Sequence, residues 1–246
     1  MANDRAAQPR RGAFGRCFIA SFLLVLMAAA ASVYLNAVDR QLFETALLEN
    51  VDYAVLGMDE DSVRSFADET ILFLTDAQDS WEPSITVAGF PASRFIPQSF
   101  RDHMVTVKGW VSAATSVFLC GAAAVIALLA WALATSGRRG GFSMQGYYAG
   151  TLLPLLLIAG VGLWASLDFS GMWEMLHRTL IPDGIFPADE LVMRLFPETL
   201  FSAYLPPVML MLVLMLAAVL VLPLILSPVS ARIAQARAES ADGANR

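Results

Sequence analysis

The sequence predicts an all-α membrane protein with four transmembrane helices, both termini in the cytoplasm and a small extracytoplasmic cap. Hydrophobic residues make up 57% of its 246 residues, and the mean hydropathy is +0.59, which is well outside the range of ordinary soluble domains. Four uncharged stretches are long enough to cross a hydrocarbon layer of ~30 Å at ~1.5 Å per helical residue. They cover about residues 17–37, 110–135, 142–167 and 203–227. We therefore treat residues 1–246 as a single membrane domain.

The placement of charge predicts the orientation of these spans. The segments before span 1, between spans 2 and 3 and after span 4 hold nine arginines and three acidic residues. The other two connectors, residues 38–109 and 168–202, hold seven basic and nineteen acidic residues. The positive-inside rule places those two connectors outside, where they form the cap. Because the spans carry no ionisable residue, ion or proton transport is disfavoured, and the absence of a basic patch argues against a nucleic-acid partner.

Span 1 has two possible fates, an uncleaved anchor or a cleaved signal sequence. The run Ala28–Ser32 has the small residues that a signal peptidase prefers. The apolar stretch nevertheless continues through Val33–Leu35 and exceeds a normal signal core. We expect an uncleaved anchor that ends near Tyr34 and Asn36. Tyr34 at this depth is most simply an interfacial anchor, and contact with a substrate head group is the alternative.

The first outside connector is predicted to fold into helices and a short extended arm. Gln41–Leu56 places apolar residues at helical spacing, and Asp61 is predicted to cap a second helix over Ser62–Thr75. Ser84–Phe100 is rich in proline and glycine and predicts a hairpin or irregular arm. No proline or glycine precedes Gly109 in the approach to span 2, so that helix is expected to begin outside the membrane.

The second outside connector is predicted to hold two short helices. Ser170–Thr179 is typical of an interfacial helix and carries His177. Ala188–Phe196 is expected to form another helix, capped from the Pro187–Asp189 region. Elsewhere, Gly146 and Gly150 at the start of span 3 have the spacing that permits close helix packing. Span 4 is expected to end before Pro228, and residues 231–246 are expected to be frayed.

His103 and His177 are the only two histidines, and the predicted topology brings both to the same membrane surface. At ~1.5 Å per residue, His103 would stand ~10 Å above Trp110, at head-group height. The two rings could simply be polar residues at a boundary. No metal-ligand spacing such as HExxH is present, so we predict no metal. No GxSxG elbow is present either, which argues against a serine nucleophile. Acid–base catalysis by the two imidazoles is therefore the most specific hypothesis that the sequence supports.

The residues around the two histidines resemble a known family. His103-Met104-x-x-Val107-Lys108 lies before span 2, and Leu176-His177 followed by Pro187 and by Leu195-Phe196-Pro197-x-x-x-Phe201 lies before span 4. With the span count, the connector lengths and the Tyr34-x-Asn36 exit from span 1, these motifs are similar to the DUF1461 family of four-span bacterial membrane proteins. That family includes the lipoprotein intramolecular transacylases.

The resemblance implies a membrane acyltransferase without a cofactor. Such enzymes move the sn-2 acyl chain of a diacylglyceryl lipoprotein to the α-amine of its N-terminal cysteine, which gives the lyso-form lipoprotein. The expected partners are membrane lipids and this lipoprotein substrate, and the expected location is the bacterial cell membrane with the active site at the extracytoplasmic leaflet. The sequence leaves open the acyl-chain preference and the oligomeric state.

The two histidines are the predicted catalytic residues, with His177 as general base on the amine and His103 as its orienting or acid partner, although the roles could be exchanged. Further candidates for binding the substrate are Tyr34, Asn36, Lys108, Arg178 and Asp189, the last of which could instead cap its helix or orient an imidazole. Two alternatives remain. One is a non-catalytic scaffold or lipid-binding accessory protein, and the other is an enzyme of the same family acting on a different lipid ester.

Overall fold

The computed structural model describes residues 3–136, 141–181, 186–187 and 189–243, and it confirms the predicted four-span helical fold. Four of its helices are long and apolar enough to cross a membrane, within Gly12–Ala37, Gln98–Ala134, Met144–Leu167 and Leu205–Gly243. The helices of the described residues are α1 (Asn3–Ala37), α2 (Arg40–Asn50), α3 (Glu60–Leu74), α4 (Gln98–Ala134), α5 (Met144–Leu167), α6 (Phe169–Leu180), α7 (Leu191–Leu195), α8 (Glu198–Ser202) and α9 (Leu205–Gly243).

The internal contacts divide the chain into two compact units. The first unit comprises Met1–Ala31, Val117–Gly160 and Met211–Arg246. The second unit comprises Ser32–Ser116 and Val161–Leu210. The second unit therefore holds both histidines and both connectors that were predicted to form the cap.

Close helix packing in the first unit centres on the beginning of α5. A Cβ atom at Gly146 would collide with the backbone of Phe14, and one at Gly150 would collide with the backbone of Phe18. The two glycines thus let α5 approach α1, and the structural interpretation of their spacing is confirmed. Between them, Tyr147 is fully buried. Its main-chain oxygen accepts a hydrogen bond from Ser21 at 2.7 Å, so a polar contact supports the same helix pair.

The second unit is built on an apolar core shared by α2, α3, the beginning of α4, α7 and α8. Side-chain caps start two of these helices, because Asp39 accepts the main-chain N–H of Leu42 at 2.9 Å and Asp59 accepts that of Ser62 at 2.8 Å. The largest fully buried side chains of this core are Phe66, Phe73, Leu47, Leu195, Leu200, Val63 and Val192. This core fixes the beginning of α4, on which His103 lies.

Two predicted boundaries in the first connector were wrong. The first helix ends at Asn50 instead of Leu56, because Val51 turns to an extended conformation while its main-chain N–H closes the last turn on the carbonyl of Leu47 at 2.9 Å. Asp59, not Asp61, caps α3. The Asp61 carboxylate lies in the first turn and pairs instead with Arg64 at 2.8 Å.

The predicted hairpin is present and very short. Strand β1 (Thr86–Val87) pairs antiparallel with β2 (Phe90–Pro91). The two turn residues have positive φ, 50° at Ala88 and 81° at Gly89, as a two-residue turn with the twist of a hairpin requires. The main-chain N–H of Ala88 donates to the carbonyl of Leu56 at 2.9 Å, which ties the hairpin to the loop after α2.

The second connector and the C-terminal helix also depart from prediction. The short helix begins at Leu191, not at residue 188, which lies outside the described residues, and its cap residue Glu190 makes no side-chain cap bond. The structure adds α8, which the sequence did not predict. Helix α9 continues through Pro228 to Gly243. Residues 231–239 are rich in alanine and other strong helix formers, so the proline does not end the helix.

Candidate active site

Helix α4 begins in the cap and carries His103 in its second turn, as the sequence predicted. The imidazole is half-buried between two aromatic rings, with ring centroids 5.5 Å from Phe100 and 5.4 Å from Phe186. Its Nδ1 atom is buried and has no hydrogen-bond partner among the described residues. Burial lowers the pKa of His103, and the neighbouring charge of His177 lowers that pKa further. The ring therefore favours its neutral form.

Helix α6 carries His177 and is positioned at both of its ends. The side chain of Asp168 caps the helix by accepting the main-chain N–H of Gly171 at 2.9 Å. At the other end, the indole N–H of Trp110 donates to the carbonyl of Leu180 at 3.3 Å. These contacts connect α6 to the end of α5 and to α4, so the ring of His177 is presented towards the helix that bears His103.

One nitrogen of the His177 ring forms a hydrogen bond within the protein. Its Nδ1 atom lies 3.0 Å from the main-chain oxygen of Trp173, one turn earlier on α6. A carbonyl oxygen can only accept, so Nδ1 carries the proton and Nε2 holds the lone pair in the neutral ring. The indole ring of Trp173 also packs on the imidazole, with centroids 4.5 Å apart. This arrangement leaves Nε2 as the basic atom.

The two imidazoles meet, although 74 positions separate them in the chain. Their ring centroids are 6.4 Å apart and their planes are inclined by 21°. A substrate group of a few atoms can contact both rings at this separation. No carboxylate is hydrogen-bonded to either ring among the described residues, and no group of three or more potential metal ligands occurs among them.

Aromatic rings surround the histidine pair. Trp173 stacks on Phe201 with centroids 4.4 Å apart, and Phe100 contacts Phe186 at 5.0 Å. Phe100 also lies 5.6 Å from Phe196, which joins the lining to the buried core. The sequence analysis quoted Phe196 and Phe201 only as motif residues and missed the lining role of Trp173, Phe100 and Phe186. The i, i+4 spacing of Trp173 and His177 is the signal that could have revealed the first of these.

Lys108 was a predicted substrate-binding residue, but its side chain is held by the protein. The ammonium group lies 2.9 Å from the carboxylate of Asp76 and 2.9 Å from the main-chain oxygen of Gln78. It also lies 4.6 Å from the centre of the Phe73 ring. These contacts tie the end of α3 to α4, one and a half turns beyond His103. Lys108 thus links the end of α3 to α4 within the second unit.

The other predicted binding residues are not hydrogen-bonded to an imidazole within the described part of the chain, and two of them have partners on their own helices. Arg178 is exposed and pairs with Glu174 at 2.6 Å on its own helix. Asn36 is buried and donates to the carbonyl of Ser32 at 2.7 Å. Tyr34 is half-buried, and Asp189 is exposed. In the described part of the chain, neither Tyr34 nor Asp189 is hydrogen-bonded to an imidazole.

Comparisons with known proteins converge on one family. A family model described as "Lipoprotein intramolecular transacylase Lit" matches residues 18–201. Two solved structures of the membrane-integral lipoprotein intramolecular transacylase Lit from Bacillus cereus are similar to this chain. The first has a TM-score of 0.68 at 15% identity and covers 89% of this chain and 96% of its own. The second, with a histidine-to-arginine mutation, has a TM-score of 0.59 at 14% identity and covers 97% of both chains. A search of curated proteins found no match.

Proposed function

This chain belongs to the lipoprotein intramolecular transacylase (Lit) family, also called DUF1461, and we propose that it converts diacylglyceryl lipoproteins to their lyso form. The membership makes it an acyltransferase of the bacterial membrane. In the proposed reaction the sn-2 acyl chain moves from the glyceryl oxygen to the α-amine of the N-terminal cysteine. The observation that carries the proposal is the approach of His103 and His177 to 6.4 Å inside an aromatic lining.

His177 is the general base of the proposed mechanism. Its Nδ1 atom is held at Trp173, so the Nε2 lone pair is the site that accepts a proton. An α-amine titrates at ~7.7–8.0, and a neutral imidazole within hydrogen-bond reach is the most common side chain for removing such a proton.

His103 acts as a neutral hydrogen-bonding partner of the ester. Its lowered pKa, caused first by burial, disfavours the imidazolium form. A neutral imidazole still has one N–H, which can polarise the ester carbonyl and stabilise the oxyanion that develops on it. The buried Nδ1 atom has no hydrogen-bond partner among the described residues, so none of them holds that nitrogen. Of the roles that the sequence left open, the geometry favours carbonyl polarisation over donation from a charged imidazole.

The proposed steps balance in atoms and protons. The amine nitrogen attacks the sn-2 ester carbonyl carbon while His177 Nε2 removes the amine proton. The tetrahedral oxyanion collapses, the bond from carbon to the glyceryl oxygen breaks, and that oxygen takes the proton from His177. The products are an amide and a free glyceryl hydroxyl, and both histidines return to their starting state. No external acyl donor is consumed because ester and amine belong to one molecule.

The intramolecular nature of the reaction explains how two imidazoles can suffice. Holding the ester and amine of one substrate in register contributes a large effective molarity, ~10⁵ M or more in well-oriented systems. The aromatic lining supports this by packing apolar surface around the reacting groups. It also reduces the access of water, whose attack on the ester would give hydrolysis instead of transfer.

We place the site at the extracytoplasmic leaflet, in accord with the arginine distribution. The connectors that carry or surround the histidines hold seven basic and nineteen acidic residues, and the other segments hold nine arginines against three acids. Lipoprotein substrates expose their acylated cysteine at that surface. The proposed location thus brings the histidine pair to the level of the substrate's glyceryl group.

Mass spectrometry of lipoprotein N-termini tests the proposal. A bacterial strain that makes only diacylglyceryl lipoproteins would express this chain or its doubly substituted His103→Ala, His177→Ala form. We expect N-acylated lyso-form peptides only with the unsubstituted chain. Unchanged diacyl peptides in both strains would refute the lipoprotein reaction. Purified protein offered other lipid esters would then show whether a different ester is the substrate, and inactivity on all of them would favour a scaffold.

A further inference from the structure

Glu190 is a partly buried acidic residue that the mechanism above does not use. Its Oε2 atom is buried and has no hydrogen-bond partner among the described residues. Asp68 Oδ1 is also buried without a hydrogen-bond partner, but this oxygen forms an ion pair with Arg40. No ion pair with a described residue accounts for the unpartnered oxygen of Glu190. A buried carboxylate oxygen without a partner is costly, so such an atom calls for an explanation.

Secondary structure does not explain Glu190. It is the cap residue of α7, yet its side chain makes no cap hydrogen bond, which is the usual use of an acidic side chain there. Its main-chain N–H donates to the carbonyl of Pro187 at 3.1 Å, so the residue is held in a turn by its backbone alone. The carboxylate therefore does not contribute to the start of the helix.

Glu190 lies close in the chain to a ring of the histidine site. Four residues earlier, the ring of Phe186 packs 5.4 Å from the ring of His103. The residues that follow, Val192 and Leu195, are fully buried in the core that contains Phe100. The main-chain bond from Glu190 to the carbonyl of Pro187 forms a turn, which keeps the two ends of this segment close. Along the chain, the acid therefore lies between a ring that lines His103 and the core that supports it.

We propose that Glu190 binds the protonated α-amine of the substrate, an inference that rests on the proposed function. The substrate arrives with a primary ammonium group, which offers up to three N–H donors and one positive charge. A carboxylate oxygen without a partner in a half-buried site is the complementary acceptor. Binding would hold the ammonium group near the histidine pair until it releases one proton to water, after which His177 removes the second proton as the amine attacks. Glu190 is then a substrate-recognition residue that selects a free amine over a blocked one.

Binding of analogues that cannot react isolates this role from catalysis. The probe is a diacylglyceryl lipopeptide with both esters replaced by ethers, either with a free α-amine or with an N-acetyl group. Binding to the purified full chain in nanodiscs gives the ratio of the two affinities. We expect the unsubstituted chain to prefer the free amine by about tenfold or more, the range of a hydrogen bond to a charged group. Glu190→Gln should abolish that preference.

Two comparison variants sharpen the test. Glu49→Gln makes the same chemical change at an exposed acid on α2 and should keep the preference. Asp189→Asn removes the exposed acid next to Glu190 and should also keep most of it. A preference that survives Glu190→Gln, or that is lost in Asp189→Asn instead, would overturn the assignment. Because the ether analogues do not react, this outcome is separate from whether the chain converts lipoproteins.

The thermal stability of the variant protein provides an independent check. If the substrate supplies the partner of the Glu190 carboxylate, that carboxylate is unpaired in the free protein. Glu190→Gln should therefore leave the melting temperature unchanged or raise it. Glu190→Met should behave in the same way. A marked loss of stability, or failure to fold, in both variants would mean that Glu190 has a structural partner and would overturn the proposal.

Discussion

The main-chain oxygen of Trp173 lies 3.0 Å from Nδ1 of His177, and the Trp173 indole packs at 4.5 Å on the same imidazole. One residue thus sets both the tautomer and the orientation of the predicted base. The carbonyl contact survives any substitution of the side chain, whereas the ring contact does not. The two contributions can therefore be separated by mutation.

Substitution of Trp173 should impair catalysis more than folding. Trp173→Leu removes the ring that packs on both His177 and Phe201, so the imidazole gains freedom, and we expect the turnover rate to fall by ~10-fold or more. Trp173→Phe keeps an aromatic face and should retain most of the activity. Conversion of a diacyl lipopeptide, followed by mass spectrometry, measures both. Equal losses in the two variants would argue against the orienting role of the ring.

Removal of either histidine should abolish transacylation. His177→Ala removes the base and His103→Ala removes the carbonyl partner, and each role is typically worth 10²–10⁴-fold. Thr179→Ala is a matched control on α6, since among the described residues the Thr179 hydroxyl bonds to Met175 of the same helix and not to either histidine. Its lyso-form product should remain near the level of the unsubstituted chain. Normal product from either histidine variant would refute the two-histidine mechanism.

The contacts of Lys108 with the end of α3 should stabilise the protein. Lys108→Met loses the ion pair with Asp76, the bond to the Gln78 carbonyl and the contact with the Phe73 ring. Since Asp76 is largely exposed, we expect a modest loss of ~1–2 kcal/mol in the free energy of unfolding. Thermal unfolding in detergent measures it. Asp76→Asn should lose less, because the main-chain bond and the ring contact remain. A melting temperature unchanged by Lys108→Met would refute this stabilising role of Lys108.

Acid should destabilise the protein partly through His103. Its pKa is lowered in the folded state, so the unfolded state binds more protons once the pH falls below ~6.5. Stability is therefore lost as the pH decreases from the unfolded pKa towards the folded one, and this contribution is constant below both. His103→Phe should show a smaller drop in melting temperature between pH 7.5 and pH 5.5. An identical drop in both proteins would contradict the burial of a neutral ring.

Close packing of α1 and α5 should not tolerate a side chain at Gly150. A Cβ there would collide with Phe18 and Ser21, so Gly150→Val should destabilise the protein by ~2 kcal/mol or more. Gly160→Ala on the same helix is the control, because a Cβ at Gly160 meets nothing within 4 Å. Thermal unfolding of both variants decides the point. Equal melting temperatures would refute the packing role of Gly150.

Much of the fold follows from local sequence properties. Uncharged runs of 20 or more residues determine the four spans, because the backbone in lipid must satisfy its own hydrogen bonds. The helix of His103 was predicted to begin ahead of span 2, since no proline or glycine lies between Phe100 and Lys108, and α4 does begin at Gln98. The boundaries at Asn50, Asp59 and Leu191 were less predictable. At Asp59 the start depends on which of several acidic side chains reaches a free main-chain N–H, whereas α7 begins without a side-chain cap, so no polar residue marks its start.

The sequence alone determined the membrane fold and singled out its two histidines, because hydropathy and residue identity are properties of the chain itself. Only the tertiary structure decided what surrounds them. Trp173, Phe100 and Phe186 line the pair, Lys108 pairs with Asp76, and one oxygen of Glu190 is buried while the neighbouring Asp189 is exposed. Trp173 and Phe100 lie within one turn of the histidine that each contacts, so local spacing is compatible with those two contacts. The meeting of the two histidines, the contact of Phe186 with His103 and the Lys108–Asp76 pair join residues far apart in the chain, so only long-range packing decides them.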